Sequence, residues 1–179
     1  STPSTTQESF MLRNGLAALA GVIGAVVLTI VLQFVALIIA PPSSEMIEAF
    51  SKVRSDDPAI VEQAREILAI ELPKQPLLLV LFIVSHALGT FFGALTAVRV
   101  AREAHIVPAS IVGSLMLLEG IANVLLIPHP PWFNAIDLLL YIPAALFAWR
   151  LAADPTSDSL TPVEEVHGPQ SADMTPVES

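Results

Sequence analysis

The chain has 179 residues, a formal net charge of −9 and no cysteine; 54% of its side chains are apolar and only 14% charged. Soluble domains carry about 25% charged residues, so the composition excludes an ordinary water-facing surface. The acidic balance excludes nucleic acid as a partner, because phosphate binding needs a basic face, and the missing thiols exclude disulfides, thiolate metal sites and cysteine nucleophiles.

Crossing a hydrocarbon layer of about 30 Å takes about 20 apolar residues at 1.5 Å per residue. A short segment, residues 1–12, precedes a domain over 13–152 in which four stretches reach that length. The first runs from about Leu16 to Ala40 and is stopped by Pro41-Pro42, which removes backbone donors and cannot continue a helix. Its apolar run is far longer than a signal-peptide core, so it is expected to stay in the protein as a span.

The connection 41–75 holds a second kind of helix. Asp57-Pro58 is a start signal, with a side-chain cap and proline in the first turn. Ile60, Ala64, Ile67 and Leu68 then recur at helical spacing opposite Glu62, Arg65 and Glu66, until Pro73. This predicts an amphipathic helix lying against the outer face of the bundle or the membrane surface; a sharper reading makes it a lid or docking surface.

The remaining spans are 77–98, between Pro76 and Arg99, then 106–127, ending at Pro128, and 132–149, ending at Arg150. From 153 to 179 the chain turns to Pro, Ser, Thr, Asp and Glu, with prolines at 155, 162, 169 and 176. Such a segment buries too little apolar surface to offset its ordering entropy and is predicted to be disordered. The fold class is therefore an all-α membrane protein, an antiparallel four-helix transmembrane bundle with a helical extracytoplasmic loop and a disordered acidic tail.

Orientation follows Lys and Arg near the helix ends. Arg13, Arg99 with Arg102, and Arg150 share one side of a four-span chain, so both termini are predicted cytoplasmic. The loop 41–75 carries Lys52, Arg54, Arg65 and Lys74 among its acids, which pulls the other way.

Ionisable groups inside a span are costly unless they face the interior and find partners, so they mark candidate sites. Counting 1.5 Å per residue from the outer ends puts His86 roughly 14 Å deep, Glu119 roughly 12 Å and Asp137 roughly 8 Å. Gln33 and Tyr141 fall at about the same level, and Asn123 one turn outward of Glu119. Every span thus contributes a polar group to one outer-half layer. Glu119 with Asn123, and Asp137 with Tyr141, are four apart and share faces. His86 shares its face with Gly89, Thr90, Gly93 and Ala97, where Gly89 and Gly93 form a small-xxx-small arrangement for close helix packing. In the outer connection, His129 and Trp132 stand where they can cover the mouth of the cluster.

The expected central contact is between Glu119 and His86 on adjacent helices. It serves either packing specificity alone or a proton-exchanging or ligand site. No Glu-x-x-His pairs for a di-iron site are present, His86 with Met116 falls short of a haem ligand set, and phosphate loops, zinc-protease helices and serine elbows are absent. No cofactor and no metal are expected, and no catalytic residue is assigned.

The runs Ser85-His86-Ala87-Leu88-Gly89, Glu119-Gly120-Ile121-Ala122-Asn123 and Pro128-His129-Pro130-Pro131-Trp132-Phe133 resemble segments of small, uncharacterised bacterial inner-membrane proteins with four predicted spans. The resemblance covers about Leu77 to Leu151. It implies a bacterial inner membrane and a four-span fold, and it supplies no activity. The leading functional expectation is a non-enzymatic accessory or structural subunit whose partners are the lipid bilayer and other membrane protein subunits. The alternative is a small transporter or proton-linked membrane enzyme working through the outer polar cluster.

Overall fold

The computed structural model describes residues 5–101 and 105–153. The expected acidic tail and Arg102 lie outside the described residues. Among the described residues six α-helices follow one another: α1 (Thr5–Ile39), α2 (Ser44–Lys52), α3 (Pro58–Glu71), α4 (Pro76–Ala101), α5 (Ile106–Leu126) and α6 (Pro131–Ala153), with a 3-10 turn at Leu72–Lys74 before α4. Four of them, α1, α4, α5 and α6, are long and apolar enough to cross a membrane. The chain is thus a multi-pass membrane protein by the length and composition of its helices.

The helices outrun the apolar stretches that announced them. α1 starts at Thr5, well before Leu16, because nothing between those residues breaks a helix, and its apolar window begins at Met11. Hydropathy locates the span, while helix propensity sets the ends. α6 contains Pro143, which has no N–H to give the carbonyl of Leu139. Such breaks are tolerated in membrane helices whose neighbours support them.

α4 is the central helix. Half of its apolar window is buried (50%) against 17% for α1, and it packs on α1, α5 and α6. The α1–α4 seam is made by small residues. A Cβ on Gly21 would lie 2.6 Å from the carbonyl oxygen of Gly93, and one on Gly93 would lie 2.5 Å from Cβ of Ala25 and 2.6 Å from the oxygen of Gly21. Gly89 is pressed in the same way against Thr29 and the backbone of Ala25. The small-xxx-small face is therefore in contact along its length, with Thr29 reaching across to the carbonyl of Ser85 at 3.5 Å. Below the polar layer, Ala94, Leu95, Ala97, Val98, Ala109, Val112, Met116, Ala145 and Ala148 close a buried apolar core.

The loop end has a core of its own. α3 is capped as its sequence predicts, Asp57 accepting from the N–H of Ala59 at 2.9 Å. Ala64 and Leu68 are buried and Ile67 half-buried, while Ile60 stays 37% exposed. Arg65, placed by its spacing on the polar face, turns to α5 instead: Nη1 donates to the carbonyls of Leu125 (2.9 Å) and Leu126 (3.2 Å), which the last turn of a helix leaves without partners. α2 was not anticipated. Its signal is Ser43, which accepts from the N–H of Met46 at 3.2 Å. Its inward residues Met46 and Ala49 join Leu68, Leu72, Leu78, Leu79 and Phe133 in a second apolar cluster. The two short helices thus form a fixed cap on the end of the bundle.

Candidate intramembrane binding site

Between the two apolar cores lies a chain of polar side chains that joins three helices. Gln33 of α1 donates from Nε2 to His86 Nε2 of α4 at 2.9 Å. That contact places the imidazole proton on Nδ1, which donates to Asp137 Oδ1 of α6 at 2.7 Å. Tyr141, one turn along α6, donates its hydroxyl to Asp137 Oδ2 at 3.2 Å. Both oxygens of Asp137 accept, the pattern of an ionised carboxylate. His86, Asp137 and Tyr141 are 5%, 1% and 1% exposed, so these bonds are made where water does not compete.

The ring of Tyr141 is seated by a glycine. A Cβ on Gly120 would lie 2.6 Å from Cε2 and 2.9 Å from the hydroxyl oxygen of Tyr141. The phenol therefore rests on the backbone of α5, close enough to support Asp137 and to stack at 5.9 Å on His86. Gly120 had no assigned role in the sequence; its position one residue after Glu119 was the available clue.

The expected Glu119–His86 pair is not formed. Both ring nitrogens of His86 are taken, by Gln33 and Asp137, and Glu119 makes no hydrogen bond or ion pair among the described residues. The physical reason is helix packing: α6 is a direct neighbour of α4 at this level, whereas Glu119 is separated from His86 by a cavity. A depth count cannot choose between two carboxylates; the contacting faces do.

That cavity encloses about 830 Å³, within the roughly 300–1,000 Å³ of small-molecule sites. α1, α4 and α5 converge where a Cβ on Gly21 would meet Val112 at 3.0 Å, and the cavity fills the wedge between α1 and α5 farther out. Its wall carries Gln33, His86, Glu119 and Asn123 among apolar neighbours such as Ile30, Phe82 and Met116. Its outer rim is made by Pro41, Ile47, Phe50 and Arg54 from the loop side and by His129 opposite. Of the expected site residues, Gln33, His86, Asp137 and Tyr141 are joined by hydrogen bonds, Glu119, Asn123 and His129 face the cavity with Gln33 and His86, and Trp132 stands apart, 41% exposed.

His129 is held by a 3.0 Å bond from Nδ1–H to the carbonyl of Ile127 and by a stack on Phe133 with centroids 4.5 Å apart. Burial pushes its pKa down to about 4. It is therefore neutral at physiological pH and brings no positive charge to the rim.

Protein-family models, curated proteins and solved structures show no match to the chain.

Proposed function

We propose that the protein binds a small amphipathic molecule in the outer-half cavity and works as a small transporter or carrier, with the surrounding carboxylates and imidazole available for proton exchange. The observation that supports this most is the cavity itself: about 830 Å³, largely apolar, with Gln33, His86, Glu119 and Asn123 converging on it. Pockets of that size with a few convergent polar groups are the usual form of a ligand site. A bundle that needed the polar layer only for packing has no use for a carboxylate that faces an open space without a hydrogen-bond partner.

A second reading, an accessory subunit of a larger membrane complex, has one observation in its favour. α1 is covered over only 17% of its apolar window, leaving a long face for a neighbouring helix or for lipid. Purification in mild detergent followed by native mass spectrometry separates the two. A monomer or symmetric oligomer with a small adduct is the expected result. An adduct-free chain that travels only with a larger complex would replace the first reading with the second.

For its setting we propose a bacterial inner membrane with both termini cytoplasmic. Arg13, Arg99 and Arg150 fall at one end of the antiparallel spans. At the other end Lys52 and Lys74 are paired with Glu48 and Glu71, and Arg65 is engaged by α5, so the loop's basic residues are largely offset. In this cysteine-free chain, Ser51→Cys should react with an impermeant thiol reagent on intact cells and Ser157→Cys should not. The opposite pattern would invert the topology.

A further inference from the structure

The charges around the cavity are unevenly placed. Four ionisable side chains line it: Arg54, His86, Glu119 and His129. At the level of the polar layer, His86 is a neutral ring whose Nδ1–H donates to the carboxylate of Asp137 directly behind it. Glu119 stands on the opposite wall, exposed and without a hydrogen-bond partner. The layer therefore presents two carboxylates and no cation. Arg54 is exposed and belongs to the rim beyond α2, where water screens it. His129 is neutral because burial holds its pKa down to about 4.

An anion placed in this wedge would face Glu119, with Asp137 behind His86, and a neutral molecule would leave Glu119 unanswered. A cation with apolar bulk satisfies both halves of the lining: the positive centre answers Glu119, and the apolar part replaces lipid or water against Val26, Ile30 and Met116. Phe82, on the α4 wall with His86, adds an aromatic side chain to the lining, a residue type that tolerates cations.

We infer that the cavity selects an amphipathic organic cation, held with its positive centre against Glu119. This rests on the cavity being a binding site. The other ionisable side chains on the cavity are His86 from α4, His129 from the α5–α6 connection and Arg54 from the loop, with Asp137 and Tyr141 of α6 behind His86; α1 contributes the uncharged Gln33 and Thr29. Among the described residues Glu119 is the carboxylate that faces the cavity without a hydrogen-bond partner.

The test uses the full chain in lipid nanodiscs with two probes of matched shape, tetraphenylphosphonium and tetraphenylborate, measured by equilibrium dialysis at pH 7 against empty nanodiscs. Saturable binding of the phosphonium is expected, with the borate no better than the empty discs. Glu119→Gln should weaken the phosphonium on the order of tenfold, and Glu119→Asp should recover much of that loss. Because Glu119 has no partner to lose, the Gln variant should keep the thermal stability of the parent, which serves as the check on folding. Preferential borate binding, or a Gln variant with unchanged affinity for the phosphonium, would overturn the cation inference and leave the cavity as a binding site. If neither probe binds saturably and the native protein carries no adduct, the binding reading fails with it.

Discussion

The same two helices, α1 and α4, build two different environments along their length. In the inner half, Gly21, Ala25, Gly93 and Ala97 bring the backbones into contact and leave no room for larger side chains between them. Two to three turns outward the residues are Gln33 and His86, the contact is a hydrogen bond, and α5 stands off by the width of a cavity. Side-chain size sets how closely the helices approach. In the outer half, polarity then fixes which partner each side chain takes, because an unpaired group in that setting is costly. The inner seam holds the bundle together, and the outer network holds a space in a defined shape.

The largest effect is expected at the seam. Gly93→Val must move backbone as well as side chain, since even its first carbon would meet the oxygen of Gly21 at 2.6 Å. Thermal unfolding in detergent should show a loss of about 2–3 kcal/mol. Gly24, on α1 three residues after Gly21, where a Cβ would have nothing within 4 Å, is the control. Gly24→Ala should be neutral or gain up to about 1 kcal/mol from helix propensity. Equal losses at both glycines would show that the seam is not where the helices meet.

A smaller effect should come from the outer network. His86→Ala and Asp137→Ala each strand a buried partner, at a cost of about 1–3 kcal/mol, and the double variant should lose clearly less than the sum. His86→Ala combined with Glu119→Gln should be additive within about 0.5 kcal/mol. The reverse pattern would restore the Glu119–His86 pair and break the account of the cavity wall.

The smallest effect is at the rim. An unfolded histidine takes up its proton near pH 6.5, whereas His129 does so only near 4. Its contribution is therefore complete above about pH 6.5 and declines as pH falls toward 4, by roughly 1–2 kcal/mol given that part of the ring is wet. His129→Phe, which keeps the stack on Phe133, should make the parent's extra loss over that window disappear. An unchanged pH profile would mean that His129 is not buried in solution.

The spans were legible because long apolar runs ended by Pro41-Pro42, Pro128 and Arg150 have few other physical meanings. The packing face of α4 was legible as well, since Gly89, Gly93 and His86 repeat at helical spacing, and all three are buried. α2 was hidden because Ser43 and nine following residues look like any polar loop until Met46 and Ala49 find the second core. The partner of His86 was hidden for a different reason. Sequence gives the depth of a side chain along its own helix, and it says little about which helices are neighbours, so Glu119, nearer to His86 in depth than Asp137, was the expected partner until α6 was seen against α4. The cavity follows from that arrangement and has no sequence signal of its own.

Reactivity of single cysteines on α5 tests the contrast between the two halves most directly, because the chain has no cysteine to interfere. Asn123 lines the cavity and Ala109 is 0% exposed in the inner core. In membranes open on both sides, a charged thiol reagent should modify Asn123→Cys readily and Ala109→Cys hardly at all, with the first reaction slowed when the cavity is occupied. Equal inertness at the two positions would contradict an open, polar outer half, and the account of the site would fall with it.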